Sequence, residues 1–506
     1  MKALKQLVQL LDVYKLRSIE IIGLSERTSN VNTFYKKIAD NSIHSDEEAA
    51  QLFFKKEPNY KAYQKLKSNL KKRLINSLFL VNIKQARYSE RQKAYYQCHK
   101  DWAAVNILLG KNAWDIGIGI CLKILKQAKK FEFTSLRLES LRIMRIYYGT
   151  RLGDIERVNK YSQELENVEQ LNILENWCEG IYVKFVSQYV LDRSTKKNIT
   201  SEATKSLKII KERVGTTDSY SISLYQLLIE LLIYTSVNDY SSTAEVCEKA
   251  FEKFHAKAYI ASVPLQVLYY QLIICHTQLG NFNKGYEIIE LGNNFTEKGS
   301  FNWFKYQELI LQFYLHAKDY KKALDCYLRA VQHRNFKSFP EALKEIWYLF
   351  GGYLVFLYRI GALDEEEQHQ LASFRKGKFL NEVPNMLRDK SGMGISVLVL
   401  ELLFLVLERA HESLLDRIES VRKYCARHLQ KEDTKRSECF LKMLLCIPKN
   451  GFQKGRVQHA TASLKLTLEA QPLASARQPH ELEVIPYEDL WSFILEHLDQ
   501  DRRSLV

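Results

Sequence analysis

The sequence predicts an all-α protein built from stacked helix hairpins, and three observations predict it. The stretch Pro264–Val331 holds two consecutive helical hairpins in nearly one register, LYYQLIICHTQLGNFNKGYEIIELGNNF and YQELILQFYLHAKDYKKALDCYLRAV. In each, an apolar helix ends in a short polar turn, Gly280-Asn281-Phe282 and then Lys318-Asp319-Tyr320. The next helix carries small residues where two helices approach closely: Gly285 and Gly292, then Ala323 and Ala330. The composition agrees. With 8 Pro and 20 Gly in 506 residues, 46% hydrophobic and 26% charged, the chain suits an ordered helical protein rather than a disordered one. At ~150 residues per domain the length suggests about three domains. A solenoid overrides that count, because it grows without needing a new core.

In chain order, the first hundred residues are the basic part. They hold 20 Lys+Arg against 9 Asp+Glu, a net of +11, where the whole chain carries +15. Ser45-Asp46-Glu47-Glu48 reads as a capping box opening a helix, with Ser45 accepting from an N-terminal amide and Glu48 reaching back. Glu57-Pro58-Asn59 breaks that helix, because proline disfavours a helical residue before it. A long helix is then expected from about Asn59 to Ile83. Tyr63, Leu66, Leu70, Leu74 and Leu78 recur every three or four positions and so share one face. Lys61, Lys65, Lys67, Lys71, Lys72 and Arg73 take the flanks and the opposite side, and Arg87 follows on the next helix. From Lys55 to Lys93 there are twelve basic residues and two acidic ones.

From Trp102 the hairpins begin, with helices expected near 101–109, 114–129, 136–148, 155–167, 172–192 and 202–214. The apolar run Ile395–Leu407, ISVLVLELLFLVL, is 13 residues long and contains Glu401. It falls short of the ~20 residues that span a bilayer and reads as a buried solenoid helix. The stretch Ser373–Gly394 breaks the rhythm. Its Arg375, Lys376, Lys378, Asn381 and Arg388, interleaved with Phe374 and Phe379, form a candidate ligand or partner loop, against the plainer reading of an inter-helix crossover. Residues 469–481 read as a linker. The final helix, Tyr487–Leu498, reads as a cap, which solenoid ends need, with docking along the groove as the alternative.

The two central hairpins resemble the tetratricopeptide repeat. Tyr314, Tyr320, Ala323, Tyr327 and Ala330 fall on that repeat's Tyr, turn-aromatic, Ala, aromatic and Ala positions. Ile273 and His276 depart from it, and weaker echoes occur at Asn238-Asp239-Tyr240, Gly153-Asp154-Ile155 and Asn112-Ala113-Trp114. The turns at Asn238, Gly280 and Lys318 lie 42 and 38 residues apart, longer than the family's ~34. The resemblance covers about residues 100–360. It implies a right-handed α-solenoid of antiparallel helix hairpins that binds a partner on a concave surface. Residues 45–83, a short helix, a three-residue turn and a longer basic helix, resemble a helix-turn-helix reader, which implies contact with nucleic acid through phosphate neutralisation. No base-reading set and no wing strands are identifiable. The plainer reading is a solvated basic helix whose Lys stems cover apolar surface.

Chemistry is not legible. Gly110-Lys111-Asn112 lacks the spacing and hydroxyl of a phosphate loop, and neither HExxH nor GxSxG occurs. Cys425 and His428 have a metal-ligand spacing with Cys439 and Cys446 downstream, but on helices with apolar neighbours. The adjacent pairs Cys98-His99 and Cys275-His276 point about 100° apart on a helix. No cofactor, no metal and no enzymatic activity are expected. Nine scattered cysteines and no secretory signal suggest reduced thiols and a cytoplasmic setting. The sequence thus divides into a basic helical region over 1–100, a solenoid over 101–468, and a linker with a capping helix over 469–506. The leading functional expectation is a protein-protein interaction scaffold holding a partner segment in its groove, with no membrane contact. The second is a nucleic-acid-binding regulator that uses the basic helices.

Overall fold

The computed structural model describes residues 1, 4–5, 7–8, 29–40, 42–80, 89–191, 196–339, 341–363, 393–429 and 432–503. The described chain is all-α, with helices packed in neighbouring pairs and no strand among the described residues. It divides into two compact units, Met1–Gln170 and Leu171–Val506.

In the first unit, α1 (Asn30–Ala39), α2 (Asp46–Phe54) and α3 (Lys61–Ser77) enclose one small core. Leu4, Val8, Phe34, Ile38, Ile43, Ala49, Ala50, Tyr63, Leu66, Leu70 and Leu74 are its buried residues. The apolar stripe expected on α3 is therefore its core face. Helix α3 is shorter than its periodicity suggested. It ends at Ser77 and tightens into a 3-10 turn over Leu78–Leu80, with Leu78 still packed on the core. At α2, Ser45 Oγ accepts from the Glu48 amide at 3.2 Å. Glu48 reaches back to the His44 amide at 2.6 Å rather than to Ser45, so only half of the expected capping box forms. A complete one opens α4 (Glu90–Gly110), between Ser89 and Gln92. Next come α5 (Trp114–Phe131), α6 (Thr134–Tyr147) and α7 (Ile155–Leu191). The two helices expected near 155–167 and 172–192 are this one helix of 37 residues. Nothing between them, Val168-Glu169-Gln170-Leu171, breaks a helix, and Val168 is buried in a cluster with Leu125, Leu138, Leu141 and Leu165.

The second unit continues with α8 (Lys196–Val214), α9 (Tyr220–Thr235), α10 (Tyr240–His255), α11 (Ser262–Leu279), α12 (Phe282–Gly292), α13 (Phe301–His316), α14 (Tyr320–Val331) and α15 (Glu341–Arg359). After 393 it resumes with α16 (Met393–Leu407), α17 (His411–His428), α18 (Lys435–Lys449), α19 (Lys454–Glu469) and α20 (Tyr487–Arg503).

One backbone device recurs at the turns of this unit. Asn238, Gly280, Lys318, Gly361, Arg409 and Gly451 all adopt left-handed φ between 48° and 78°. At each, the next amide reaches the carbonyl five residues back: Asp239 to Tyr234, Asn281 to His276, Asp319 to Tyr314, Ala362 to Leu357, Ala410 to Leu405 and Phe452 to Ile447, at 2.9–3.2 Å. This 6→1 bond satisfies a carbonyl that the helix end would otherwise leave open. Only three of the six positions are glycine, so the turn is held by main chain where the sequence signal fades. The six turns recur every 38 to 48 residues.

The small residues lie at close approaches. A Cβ on Gly285 would sit 2.1 Å from the Phe313 ring, and one on Gly292 would sit 1.8 Å from the Tyr306 hydroxyl. Helix α16 is buried along nearly its whole length, and Glu401 on it pairs with Arg417 of α17. No helix among the described residues is long and apolar enough to cross a membrane.

Candidate functional site

The most built surface of the second unit is the one that holds the chain's own residues 477–487. This stretch, RQPHELEVIPY, has prolines at 479 and 486 and is not helical before Tyr487. It crosses side chains offered from the turn at Asn238 and from α10, α13, α16 and α18. Most of them donate to its main chain. Asn238 Nδ2 donates to the Arg477 carbonyl at 2.9 Å, and the Tyr240 hydroxyl to that of Gln478 at 2.5 Å. Gln312 donates to the carbonyls of His480 and Glu483. Ser396 Oγ reaches the carbonyls of Glu481 and Leu482 at 2.8 and 2.9 Å. His316 Nε2 lies 2.8 Å from the Glu483 carbonyl. Burial pulls the His316 imidazole down to about 4, the Glu483 carbonyl opposing, so the neutral ring donates through Nε2.

The segment's buried charge is read specifically. The Glu483 carboxylate, 0% exposed, receives Arg436 Nε at 2.7 Å and Nη2 at 3.0 Å. It also receives Gln478 Nε2 at 2.7 Å and the Tyr487 amide at 3.1 Å. Arg436 is 1% exposed. Its remaining donors go to the Leu468 and Gln471 carbonyls at the end of α19 and to Glu488 at 2.7 Å. Burial alone would lower the Arg436 pKa, but Glu483 and Glu488 outweigh it and hold the guanidinium charged. Burial pushes the Glu483 carboxyl up, and the bidentate guanidinium opposes that. Leu482, Val484 and Ile485 are buried on either side. Tyr487 stacks on Phe440 at 4.4 Å, its hydroxyl 2.9 Å from Ser437. Helix α20 then buries Leu490, Trp491, Ile494 and Leu498, while Asp489 meets Lys318 at 2.7 Å.

The second surface is on α3. Lys61, Lys65, Lys71 and Lys72 are exposed, together with Gln64, Ser68, Asn69 and Asn76. Lys67 and Arg73 are half-buried, and Lys67 pairs with Asp46 at 2.8 Å. Burial works to raise the Asp46 carboxyl. Hydrogen bonds from Lys67, Tyr63 and the chain's amino group outweigh it and hold it at about 2. Arg87 and the loop residues Arg375, Lys376, Lys378, Asn381 and Arg388 lie outside the described residues. All nine cysteines are free and eight are buried. Burial raises the thiols of Cys425, Cys439 and Cys446, and no metal-holding cluster occurs among the described residues.

Arg436, Glu483, Gln312, His316 and Ser396 were not legible as a set, because they are brought together across up to 171 residues of sequence. The one available signal was the aliphatic run after Glu481, set between two prolines and lacking a helical partner. No protein family, curated relative or solved structure matches the chain.

Proposed function

We propose that the chain is a non-enzymatic interaction scaffold, a right-handed solenoid of antiparallel tetratricopeptide-like hairpins whose groove holds an extended segment of a partner protein. The observation that carries this reading is the manner in which residues 477–487 are held. Asn238, Tyr240, Gln312, His316 and Ser396 address main-chain carbonyls, a mode that accepts an extended peptide largely irrespective of its side chains. The recurrent left-handed turns support a repeat array, and arrays of this kind present extended binding surfaces. The test is crosslinking and affinity capture with the full chain, with and without a peptide of residues 476–503 as competitor. A specific protein captured and released by that peptide supports the reading. Capture that the peptide does not affect places the partner elsewhere and removes the groove from the proposal.

A second reading has its own observation. The exposed face of α3 combines Lys61, Lys65, Lys71 and Lys72 with the amides and hydroxyl of Gln64, Asn69 and Ser68. Such a face suits phosphate contacts flanking base contacts. In this reading residues 1–100 bind nucleic acid. Fluorescence anisotropy over a salt series tests it, with a log–log slope near −0.9 per phosphate contact on duplex DNA. Binding lost in the variant carrying Lys65→Glu, Lys71→Glu and Lys72→Glu supports it, and no binding at ~100 mM salt removes it.

A further inference from the structure

We propose that residues 477–487 are a built-in, displaceable ligand, and that the partner peptide replacing them presents one buried carboxylate between aliphatic side chains, in the pattern Leu-Glu-Val-Ile followed by Pro-Tyr. The inference rests on the scaffold reading and names its partner's chemistry. Three observations carry it. The helices of this surface contribute mostly side-chain donors, and the segment contributes mostly carbonyls, so the bonding is that of a host to an extended guest rather than of helix to helix. Arg477 and Tyr487 anchor the two ends through Asp239 and through Ser437 and Phe440, and between them Glu483 is read through its side chain by a guanidinium that is itself fixed from behind by the Leu468 and Gln471 carbonyls. Arg436 therefore keeps its aim when the segment leaves, and any replacement must bring a carboxylate to it, because a buried guanidinium facing an apolar guest is disfavoured. The fit is also incomplete. His316 Nδ1 and Gln478 Oε1 are buried without a partner, and unmet polar groups of this kind weaken an occupant.

The segment is preceded by an exposed turn, with Pro472, Ala474 and Ser475 open to solvent, where a protease site can be placed in the full chain. The experiment has two parts. Hydrogen exchange on the intact wild-type chain compares the amides of 477–485 with those of α13. The chain nicked at 474–475 is then given a fluorescent peptide of residues 476–503, in wild-type and Glu483→Gln forms, with helicity followed by circular dichroism. The expected result is faster exchange in 477–485 than in α13, replacement of the nicked tail by the wild-type peptide at unchanged helicity, and binding of the Glu483→Gln peptide weaker by about 10–100-fold, as for loss of a charged hydrogen-bond acceptor. Protection of 477–485 equal to α13, or loss of helicity as the tail leaves, makes the segment a permanent part of the core. That overturns the inference and leaves the scaffold reading to other surfaces. Equal binding of the two peptides overturns the carboxylate requirement alone. A nicked chain that loses its tail, stays helical and binds neither peptide overturns both this inference and the groove reading.

Discussion

Helix α3 and the segment 477–487 are both polar stretches on a helical protein, and they are held in opposite ways. On α3 the cations face water: Lys61, Lys65, Lys71 and Lys72 are exposed, and the fold depends on the opposite face, where Tyr63, Leu66, Leu70 and Leu74 are buried. On the tail the charge is the core. Glu483 and Arg436 are shut away from solvent and satisfied from several directions. The comparison separates charge that serves solubility or a partner from charge that specifies a seat. A surface lysine gains little from any one neighbour. A buried ion pair is weak evidence of net stability, yet removing one member is costly because the other is left uncompensated.

The largest expected effect follows from that asymmetry. Arg436→Met should destabilise the chain by about 3–5 kcal/mol in urea unfolding if the tail stays seated with an unpaired Glu483. A much smaller loss, accompanied by rapid exchange at 477–485, means that the tail has left and carried Glu483 into water. Next is packing rather than charge. Gly292→Ala places a methyl into the Tyr306 hydroxyl, and that hydroxyl donates to the Ile288 carbonyl. Overpacking of this kind costs about 1–3 kcal/mol, read as a shift in the urea midpoint.

A pH dependence sharpens the comparison further. The His316 imidazole is held at about 4 by burial, against an unfolded value of 6.5, with Arg436 and His480 adding to the depression and the Glu483 carbonyl and Glu488 opposing. The unfolded state therefore binds the extra proton between those values. Stability contributed here is intact above about 6.5 and declines as pH falls towards 4. Glu483, raised by burial, titrates in the opposite sense, so the difference between wild type and His316→Gln isolates the imidazole. Between pH 7.5 and 5 the urea midpoint should fall further in the wild type than in His316→Gln. The smallest effect belongs to α3. Lys65→Glu with Lys71→Glu and Lys72→Glu should leave stability within about 0.5 kcal/mol per site, as for surface positions, whatever it does to nucleic-acid binding.

How much was legible follows from the same distinction. The α3 stripe, the buried run of α16 and the close approaches at Gly285 and Gly292 are local patterns, in which a side-chain period or a small residue at fixed spacing reports its own environment. The errors were also local. Helix α7 runs on through 168–171 because nothing there breaks it, and Glu48 caps His44 rather than Ser45 because the chain entering α2 places that amide within reach.

By itself the sequence determined the all-helical character of the described residues, the helices and polar turns around 264–331 and the concentration of positive charge in the first hundred residues, since each depends on neighbours within a few turns of helix. The tertiary structure alone decided that six turns of unlike sequence share one backbone bond, and that a stretch resembling a linker is seated on Gln312, His316, Ser396 and Arg436. A carbonyl carries no sequence signature, and a carboxylate whose guanidinium lies 47 residues away is, in sequence, one more acidic residue.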